Sequence, residues 1–170
     1  CIKDMAGVMS PQEAYDLVSA IKDKVDLPVV LHTHCTTGLA FMTYLKGIEA
    51  GADVIDTATS VFSGGTSQPA TETLYYALSQ MGYEIDLKPE VLKQVNDHFK
   101  PFFNEAIASG LLDPTVMGTA TEALDYKIPG GMLSNLESQL KEQGAADKID
   151  DVLKEIAIVQ KDFGYPPLVT

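Results

Sequence analysis

The sequence predicts an α/β fold in which parallel strands alternate with helices, followed by a region that is entirely helical. Short apolar runs of strand length alternate with amphipathic helical stretches up to about Gly82. The segments between successive strands have the length of parallel crossovers, which need a dozen residues or more. From Tyr83 onward the periodic segments all have a helical pattern. We therefore predict two parts, residues 1–82 and residues 83–170.

The first part is predicted to have the order β-α-β-α-β-α. Its strands are predicted at 1–4, 27–32 and 53–56, and its helices at 11–24, 39–50 and 69–81. The first helix is well marked, because Ser10 can cap it and Pro11 suits the first helical position. Parallel strands are covered on both faces, so the pattern indicates a sheet flanked by helices.

Three strands leave two bare sheet edges, and the first strand begins without a preceding turn or cap. On this ground we expect the chain to be part of something larger.

The second part is predicted to contain four helical segments, at 89–109, 119–124, 129–143 and 148–163. Pro101 falls inside the longest of them. Proline lacks a backbone donor and clashes with the preceding turn, so we expect a kink or a split there. His98, in the same segment, is expected at the surface.

Composition argues against several classes of function. The formal net charge is −12, with twelve lysines and no arginine, whereas a nucleic-acid-binding protein needs a basic face. The apolar runs are too short and too interrupted to span a membrane. Cys1 lies on the first predicted strand and Cys35 follows the second, and their spacing is typical of neither a disulfide nor a metal site, which predicts a reducing cytoplasm.

Two histidines at the end of the second predicted strand form a candidate metal site. Side chains alternate along a strand, so His32 and His34 point the same way and can bind one divalent cation. Neutral imidazole suits Zn, Mn, Co or Fe. The alternative is a chance pair whose rings are merely hydrogen-bonded near the surface. Two histidines do not complete a site, so other segments must supply further ligands.

Further polar residues follow the other predicted strands, at the edge where α/β folds place their active sites. Lys3 ends the first strand, and Asp56 ends the third. Neighbouring parallel strands are about 4.8 Å apart, so the Lys3 head group can lie near a cation held by the histidines. A protonated lysine would repel the cation, so Lys3 must then be a neutral amine or a carbamate formed with CO2. The alternative is a solvent-exposed lysine or an ion pair with Asp4.

The chain carries several ordered motifs, which are Lys-Asp-Met-Ala-Gly at 3–7, Leu-His-Thr-His at 31–34, Gly-Gly-Thr-Ser-Gln-Pro at 64–69, Pro-Gly-Gly at 129–131 and Pro-Leu-Val-Thr at 167–170. With these motifs the chain resembles the biotin-dependent carboxyltransferases along its whole length. The family includes the oxaloacetate decarboxylase alpha chain, pyruvate carboxylase with its separate carboxyltransferase subunit, and the transcarboxylase subunit that carboxylates pyruvate.

The resemblance implies a TIM (β/α)8 barrel followed by a helical funnel. Residues 1–82 would hold the last three βα units of the barrel, and residues 83–170 would be the C-terminal helical extension. The implied reaction is carboxyl transfer between carboxybiotin and pyruvate or oxaloacetate through an enolpyruvate intermediate. Decarboxylases, carboxylases and transcarboxylases share this half-reaction.

The resemblance also implies a set of site residues. Lys3 as a carbamate, His32 and His34 match three of the four ligands of the family's divalent metal, for which Zn, Mn or Co are the candidates. The fourth ligand is an aspartate whose segment is absent from this sequence. Thr170 matches the threonine that shuttles a proton between biotin and pyruvate, so Thr170 and Lys3 are the implied catalytic residues. The arginine that holds the keto-acid carboxylate, and the Ser and Lys of the biotin pocket, have no counterpart here.

The implied partners are pyruvate or oxaloacetate and a biotin carboxyl carrier domain or subunit. We also expect a homo-oligomer that binds no nucleic acid. Association with a membrane is expected only through partner subunits of a decarboxylase pump. The segment alone is expected to be truncated and inactive.

Two alternatives remain open. A metal-dependent aldol-type lyase or synthase of the hydroxymethylglutaryl lyase-like superfamily also carries His-x-His, although Lys3 has no counterpart there. The second alternative is that the chain is a non-catalytic fragment that serves in assembly or carrier docking. The absence of the aspartate and the arginine supports this alternative.

Overall fold

The computed structural model describes residues 1–121, 123–126 and 130–164. Its sheet has three parallel strands in chain order, β1 (Ile2–Asp4), β2 (Val30–Thr33) and β3 (Val54–Ile55). They alternate with the helices α1 (Pro11–Lys22), α2 (Ala40–Glu49) and α3 (Thr71–Gln80). The predicted alternation of strands and helices and the parallel pairing are confirmed.

Local sequence signals fix the start of α1. The Ser10 hydroxyl accepts the backbone N–H of Glu13 at 3.2 Å, and the Glu13 carboxylate accepts the N–H of Ser10 at 2.8 Å. This reciprocal capping satisfies two donors that the first turn leaves unpaired, and Pro11 has no such donor to satisfy. The buried face of the helix carries Ala14 and Val18.

The apolar core lies between the central strand and the helices that follow it. Leu31 and Tyr44 are fully buried there, and Leu74 and Leu78 of α3 complete the cluster. Gly47 allows α2 to approach β2 closely, because a Cβ at this position would lie 2.4 Å from Leu31 Cδ2. The central strand β2, which leads into the two histidines, is therefore held in place by packing.

Among the described residues after Gly82, the predicted helical pattern is confirmed, although the short segment predicted at 119–124 is observed as a helix at Ala123–Tyr126. The second part contains α4 (Pro89–Ala108), α5 (Ala123–Tyr126), α6 (Gly130–Glu142) and α7 (Ile149–Asp162). Short 3₁₀ turns lie at Ser60–Phe62, Pro114–Met117 and Ala146–Lys148. Of the kink or split expected at Pro101, the split is wrong, because α4 continues through it as one helix of 20 residues, and the kink stays a prediction. Proline removes a single backbone donor, and the turns on either side remain helical.

A polar clamp joins α4 to the first part. Asn96 Oδ1 accepts the Ser60 hydroxyl and the Val61 N–H, both at 2.9 Å, and the Asn96 amide donates to Glu72. Beside it, the Phe62 ring meets the Phe99 ring edge to face, with 5.5 Å between their centroids. The helical part is thus fixed against the carboxyl end of β3.

Within the described ranges, we find no helix that is both long and apolar enough to cross a membrane.

Candidate metal centre

The register of the sheet sets three polar side chains in one row. Lys3 of β1 pairs with His32 of β2, and the β2–β3 register extended by one residue sets His32 beside Asp56. Paired residues of parallel strands point to the same face, and His34 joins them because it lies two positions beyond His32. Lys3 is exposed to solvent. Thr170 lies outside the described residues.

The two histidine rings converge through their Nε2 atoms, which lie 3.0 Å apart. Each ring is held from its other nitrogen. His32 Nδ1 lies 2.7 Å from Asp56 Oδ2, and His34 Nδ1 lies 2.6 Å from the carbonyl oxygen of Thr66. A carboxylate and a carbonyl only accept hydrogen bonds, so both Nδ1 atoms donate. In the neutral rings both Nε2 atoms are therefore unprotonated.

This arrangement fits a divalent cation. Two unprotonated nitrogens that face each other at 3.0 Å direct their lone pairs at the same point, where a positive charge stabilises them. Nitrogens bound at about 2.1 Å to one cation, with about a right angle between the bonds, are separated by this distance. Gln68 Nε2 approaches the same point, at 3.2 Å from His34 Nε2 and 3.5 Å from His32 Nε2.

Additional ligands must be of a different type. Among the described residues, no group of three or more His, Cys, Asp and Glu side chains is placed to hold a metal ion. Lys3 is the neighbour of His32 on β1. Carbamate oxygens on Lys3 would add the anionic ligands that the histidine pair lacks.

The loop after β1 packs directly against the histidines. Buried Asp4 folds this loop by accepting the N–H groups of Val8 and Met9 at 3.1 and 3.0 Å, and it also accepts the Thr33 hydroxyl at 2.7 Å. Gly7 has a φ of +64°, and a Cβ there would lie 2.2 Å from the His34 carbonyl oxygen. The Lys-Asp-Met-Ala-Gly run therefore serves two purposes, since Asp4 shapes the loop and Gly7 allows its close approach.

Residues 114–120 form a strap across the loops that follow β2 and β3. The Val116 carbonyl accepts the N–H of Thr66 at 3.0 Å, and the N–H of Ala120 donates to the Thr36 carbonyl at 2.7 Å. The strap thereby holds the Thr66 peptide whose own carbonyl fixes His34. The helical part of the chain contributes to the site through this backbone contact.

Tyr44 supports the candidate site through hydrogen bonds to the backbone of β2 and of Asp56. Its hydroxyl accepts the N–H of Thr33 at 3.0 Å and donates to the Asp56 carbonyl at 2.6 Å. Burial raises the pKa of Tyr44 to about 12, although the Thr33 hydrogen bond opposes the shift. One neutral hydroxyl thus joins β2 to the residue that holds His32.

Cys35 is adjacent to His34 in sequence but is not placed as a ligand. The side chain is buried, and its N–H donates to the Ser67 carbonyl at 2.7 Å. Burial raises the pKa of the Cys35 thiol to about 11, so the thiolate that binds metals is disfavoured at neutral pH. Cys1 is exposed, and both cysteines are free.

The sequence pattern places Asp56 at the candidate site without giving it a role, and it does not identify Gln68, the Thr66 carbonyl or Tyr44 as contributors. Asp56 lies at the predicted end of the third strand, and Gln68 lies in the Gly-Gly-Thr-Ser-Gln-Pro motif, so their positions were available signals. The Thr66 contribution is a backbone carbonyl, which no side-chain pattern reveals. Tyr44 belongs to a helix whose pattern predicts packing and does not predict partners for its hydroxyl.

Two family models match the chain. Residues 1–98 match the family described as HMGL-like, and residues 123–170 match the conserved carboxylase domain.

Curated relatives match along the whole chain. A pyruvate carboxylase subunit of Methanocaldococcus jannaschii is 51% identical over 170 residues, which is 100% of this chain and 30% of the relative. The methylmalonyl-CoA carboxyltransferase 5S subunit of Propionibacterium freudenreichii subsp. shermanii is 42% identical over 174 residues, covering 99% of this chain and 33% of the relative. The chain thus spans about a third of the length of these relatives.

Solved structures of similar fold come from Rhizobium etli pyruvate carboxylase. Its carboxyl transferase domain with pyruvate matches with a TM-score of 0.80 and 30% identity, covering 98% of this chain and 28% of that one. The same domain with oxamate and biotin matches with a TM-score of 0.83 and 32% identity, covering 99% and 28%.

Proposed function

Since the chain belongs to the HMGL-like family and is related along its length to biotin-dependent carboxyltransferases, we propose that the protein carrying it transfers a carboxyl group between carboxybiotin and pyruvate. The reaction runs in either direction and yields or consumes oxaloacetate. The observation that carries this proposal is the 3.0 Å convergence of the His32 and His34 Nε2 atoms, with Lys3 beside them on β1.

In this proposal the three strands are the last three of a (β/α)8 barrel, and residues 83–170 are its helical extension. The match of residues 1–98 to the HMGL-like family and the fold likeness to the carboxyl transferase domain support this placement. The site then lies where such barrels bind substrate, at the carboxyl ends of the strands.

The residues that would hold the divalent cation are His32, His34 and Lys3 as its carbamate, with Zn, Mn or Co as the candidates. When bound, the cation polarises the keto oxygen of pyruvate and stabilises the negative charge of the enolate. Asp56 and the Thr66 carbonyl hold the two imidazoles with their unprotonated Nε2 atoms toward the shared point. The ring orientations therefore need no rearrangement during the reaction.

Thr170 is the proposed proton relay. Its hydroxyl would pass a proton between the ring nitrogen of biotin and the methyl carbon of pyruvate. An unperturbed hydroxyl is a weak acid and a weak base, so the relay depends on its position between the two reactants. The motif at 167–170 and the match of residues 123–170 to the conserved carboxylase domain support this role.

The proposed partner is a carrier domain or subunit that delivers biotin. The solved carboxyl transferase domain from Rhizobium etli that contains biotin and oxamate supports a biotin site in this fold. Because the relatives include both a carboxylase subunit and a transcarboxylase subunit, the partner determines which overall reaction the half-reaction serves.

An aldol-type lyase or synthase is the second candidate function. The match of residues 1–98 to the HMGL-like family favours it. The match of residues 123–170 to the conserved carboxylase domain favours carboxyl transfer instead. Cleavage of an acyl-CoA aldol substrate with no response to biotin would establish the second candidate.

Replacing a proposed ligand tests the function directly. In the protein that carries this chain, we expect His32→Ala to lower the rate of biotin-dependent oxaloacetate decarboxylation by about 100-fold or more, because the cation loses a ligand. His98→Ala is the matched control, since His98 is exposed on α4. Equal rates for the two variants would contradict the proposal.

A further inference from the structure

The bond between His32 and Asp56 assigns a role to a residue outside the proposed ligand set. We propose that Asp56 is a positioning residue that selects Nε2 of His32 as the metal-binding nitrogen and thereby sets the affinity of the site for its divalent cation. The inference rests on the proposed function, because it presumes that His32 and His34 share a cation.

The geometry separates Asp56 from the ligands. Its Oδ2 lies 2.7 Å from Nδ1 of His32, on the side of the ring away from His34, while Nε2 faces His34 at 3.0 Å. The carboxylate therefore acts through the imidazole and does not contact the cation. A histidine that binds a metal commonly donates its second N–H to such an acceptor, which fixes its tautomer and its ring orientation.

The backbone of Asp56 is held from two sides. Its N–H donates to the Leu31 carbonyl at 3.1 Å, and its carbonyl accepts the Tyr44 hydroxyl at 2.6 Å. A carboxylate on a fixed backbone restricts the ring that it holds. The row of Lys3, His32 and Asp56 across the sheet thus combines a candidate ligand on one side of His32 with a positioning group on the other.

The two histidines differ in how they are held. His34 donates to the backbone carbonyl of Thr66, which a substitution of the Thr66 side chain does not remove. His32 donates to the side chain of Asp56, which a substitution can remove. The Asp56 side chain is 46% exposed and that of His32 is 16% exposed, so solvent screens the charge of the carboxylate. The directional hydrogen bond is then the larger contribution of Asp56.

Metal affinity tests this role without relying on activity. In the protein that carries this chain, we expect Asp56→Ala to weaken the binding of Zn²⁺ by about 10- to 100-fold, as for other groups that orient metal-binding histidines. Asp56→Asn should weaken binding less, because its side-chain carbonyl can still accept from Nδ1. Binding is measured by competition with a chelator of known affinity.

Two controls separate positioning from a general loss of structure. Asp97→Ala removes an exposed carboxylate that pairs with Lys93 on α4, and it should leave the affinity unchanged. The melting temperature of Asp56→Ala in excess chelator should equal that of the wild type in excess chelator. Its Co²⁺ derivative should show an altered visible absorption spectrum, because the ligand geometry around the cation changes.

The outcomes distinguish this inference from the proposed function. If Asp56→Ala binds Zn²⁺ as tightly as the wild type while His32→Ala does not bind it, the role of Asp56 is overturned and the proposed metal site stands. If the wild type binds no divalent cation, the proposed metal site is overturned and the inference falls with it. Weakening by Asp56→Ala with partial recovery in Asp56→Asn supports the inference.

Discussion

Tyr44 shows how a single buried residue supports the candidate site. Its hydroxyl satisfies the N–H of Thr33 in β2 and the carbonyl of Asp56, which follows β3. The Thr33 N–H is buried and the Asp56 carbonyl is partly buried, so loss of the hydroxyl removes a partner from both groups. The hydroxyl is also neutral over the physiological pH range, because burial raises the pKa of Tyr44 to about 12.

Replacement of Tyr44 by phenylalanine gives a prediction with a pH signature. We expect Tyr44→Phe to lower the free energy of unfolding at pH 7 by about 1–3 kcal/mol, because buried polar groups lose a partner. The folded pKa of Tyr44 lies above its ordinary value of 10, so its contribution is fully present below pH 10 and is lost as the pH rises toward 12. The difference between the two proteins should therefore shrink over that interval in denaturant titrations.

Tyr76→Phe is the matched control for this experiment. The Tyr76 side chain is 69% exposed, so loss of its hydroxyl should leave the free energy of unfolding equal to that of the wild type at every pH. A difference between Tyr44→Phe and the wild type that stays constant from pH 10 to pH 12 would contradict the assignment.

Side-chain alternation predicted the facing of the histidines but not what holds them. A period of two places His32 and His34 on one face whatever the rest of the fold does. The partner of His32 comes from β3, and that of His34 comes from a loop held by the strap at 114–120. Such partners depend on strand register and on backbone carbonyls, which local patterns do not encode.

Among the elements, the strap at 114–120 and the loop at 64–68 form one unit. Gly65 has a φ of +50°, and a Cβ there would lie 2.0 Å from the Val116 carbonyl oxygen. The same carbonyl accepts the N–H of Thr66, whose own carbonyl fixes His34. The contact between the two segments therefore requires a residue without a side chain.

A substitution at Gly65 should damage both stability and metal binding. We expect Gly65→Ala to lower the free energy of unfolding by about 1–2 kcal/mol for the left-handed backbone and by about 1–3 kcal/mol more for the clash with Val116. It should also weaken metal binding, because the Thr66 carbonyl moves relative to His34. Denaturant titration and chelator competition measure the two effects.

Gly144→Ala isolates the conformational cost. Its φ is +68°, and a Cβ there would meet nothing within 4 Å. We therefore expect Gly144→Ala to lower the free energy of unfolding only by the cost of the left-handed backbone, about 1–2 kcal/mol, and to leave the metal affinity unchanged. If Gly65→Ala and Gly144→Ala behave alike, the strap has no role in holding the site.

Hydrophobic periodicity predicted the order of the strands and helices more accurately than it predicted where each of them begins and ends. The strand predicted at 27–32 is observed at Val30–Thr33, and the one predicted at 53–56 is reduced to Val54–Ile55. Strand ends depend on hydrogen bonds with neighbours that are distant in sequence. Pro101 does not split α4, because the loss of one backbone donor is outweighed by the helical turns on both sides.

On the scale of the whole molecule, consecutive β-α units supply the site. Lys3 lies in β1, and the two histidines lie at the carboxyl end of β2. Asp56 and Gln68 lie in the segment that follows β3. The helical part adds the strap that holds the Thr66 peptide. The two relatives described above match 99% or more of this chain, so their sequences include counterparts of these units.

The most direct test of the account is X-ray diffraction at the absorption edge of the bound metal, on crystals of the protein grown with bicarbonate and Zn²⁺, Mn²⁺ or Co²⁺. We predict an anomalous peak between His32 Nε2 and His34 Nε2, with density for a carbamate on Lys3. Mass spectrometry should then show the mass of one added CO2 that disappears on acidification. The absence of a peak, with an unmodified Lys3 turned away from both histidines, would contradict the account.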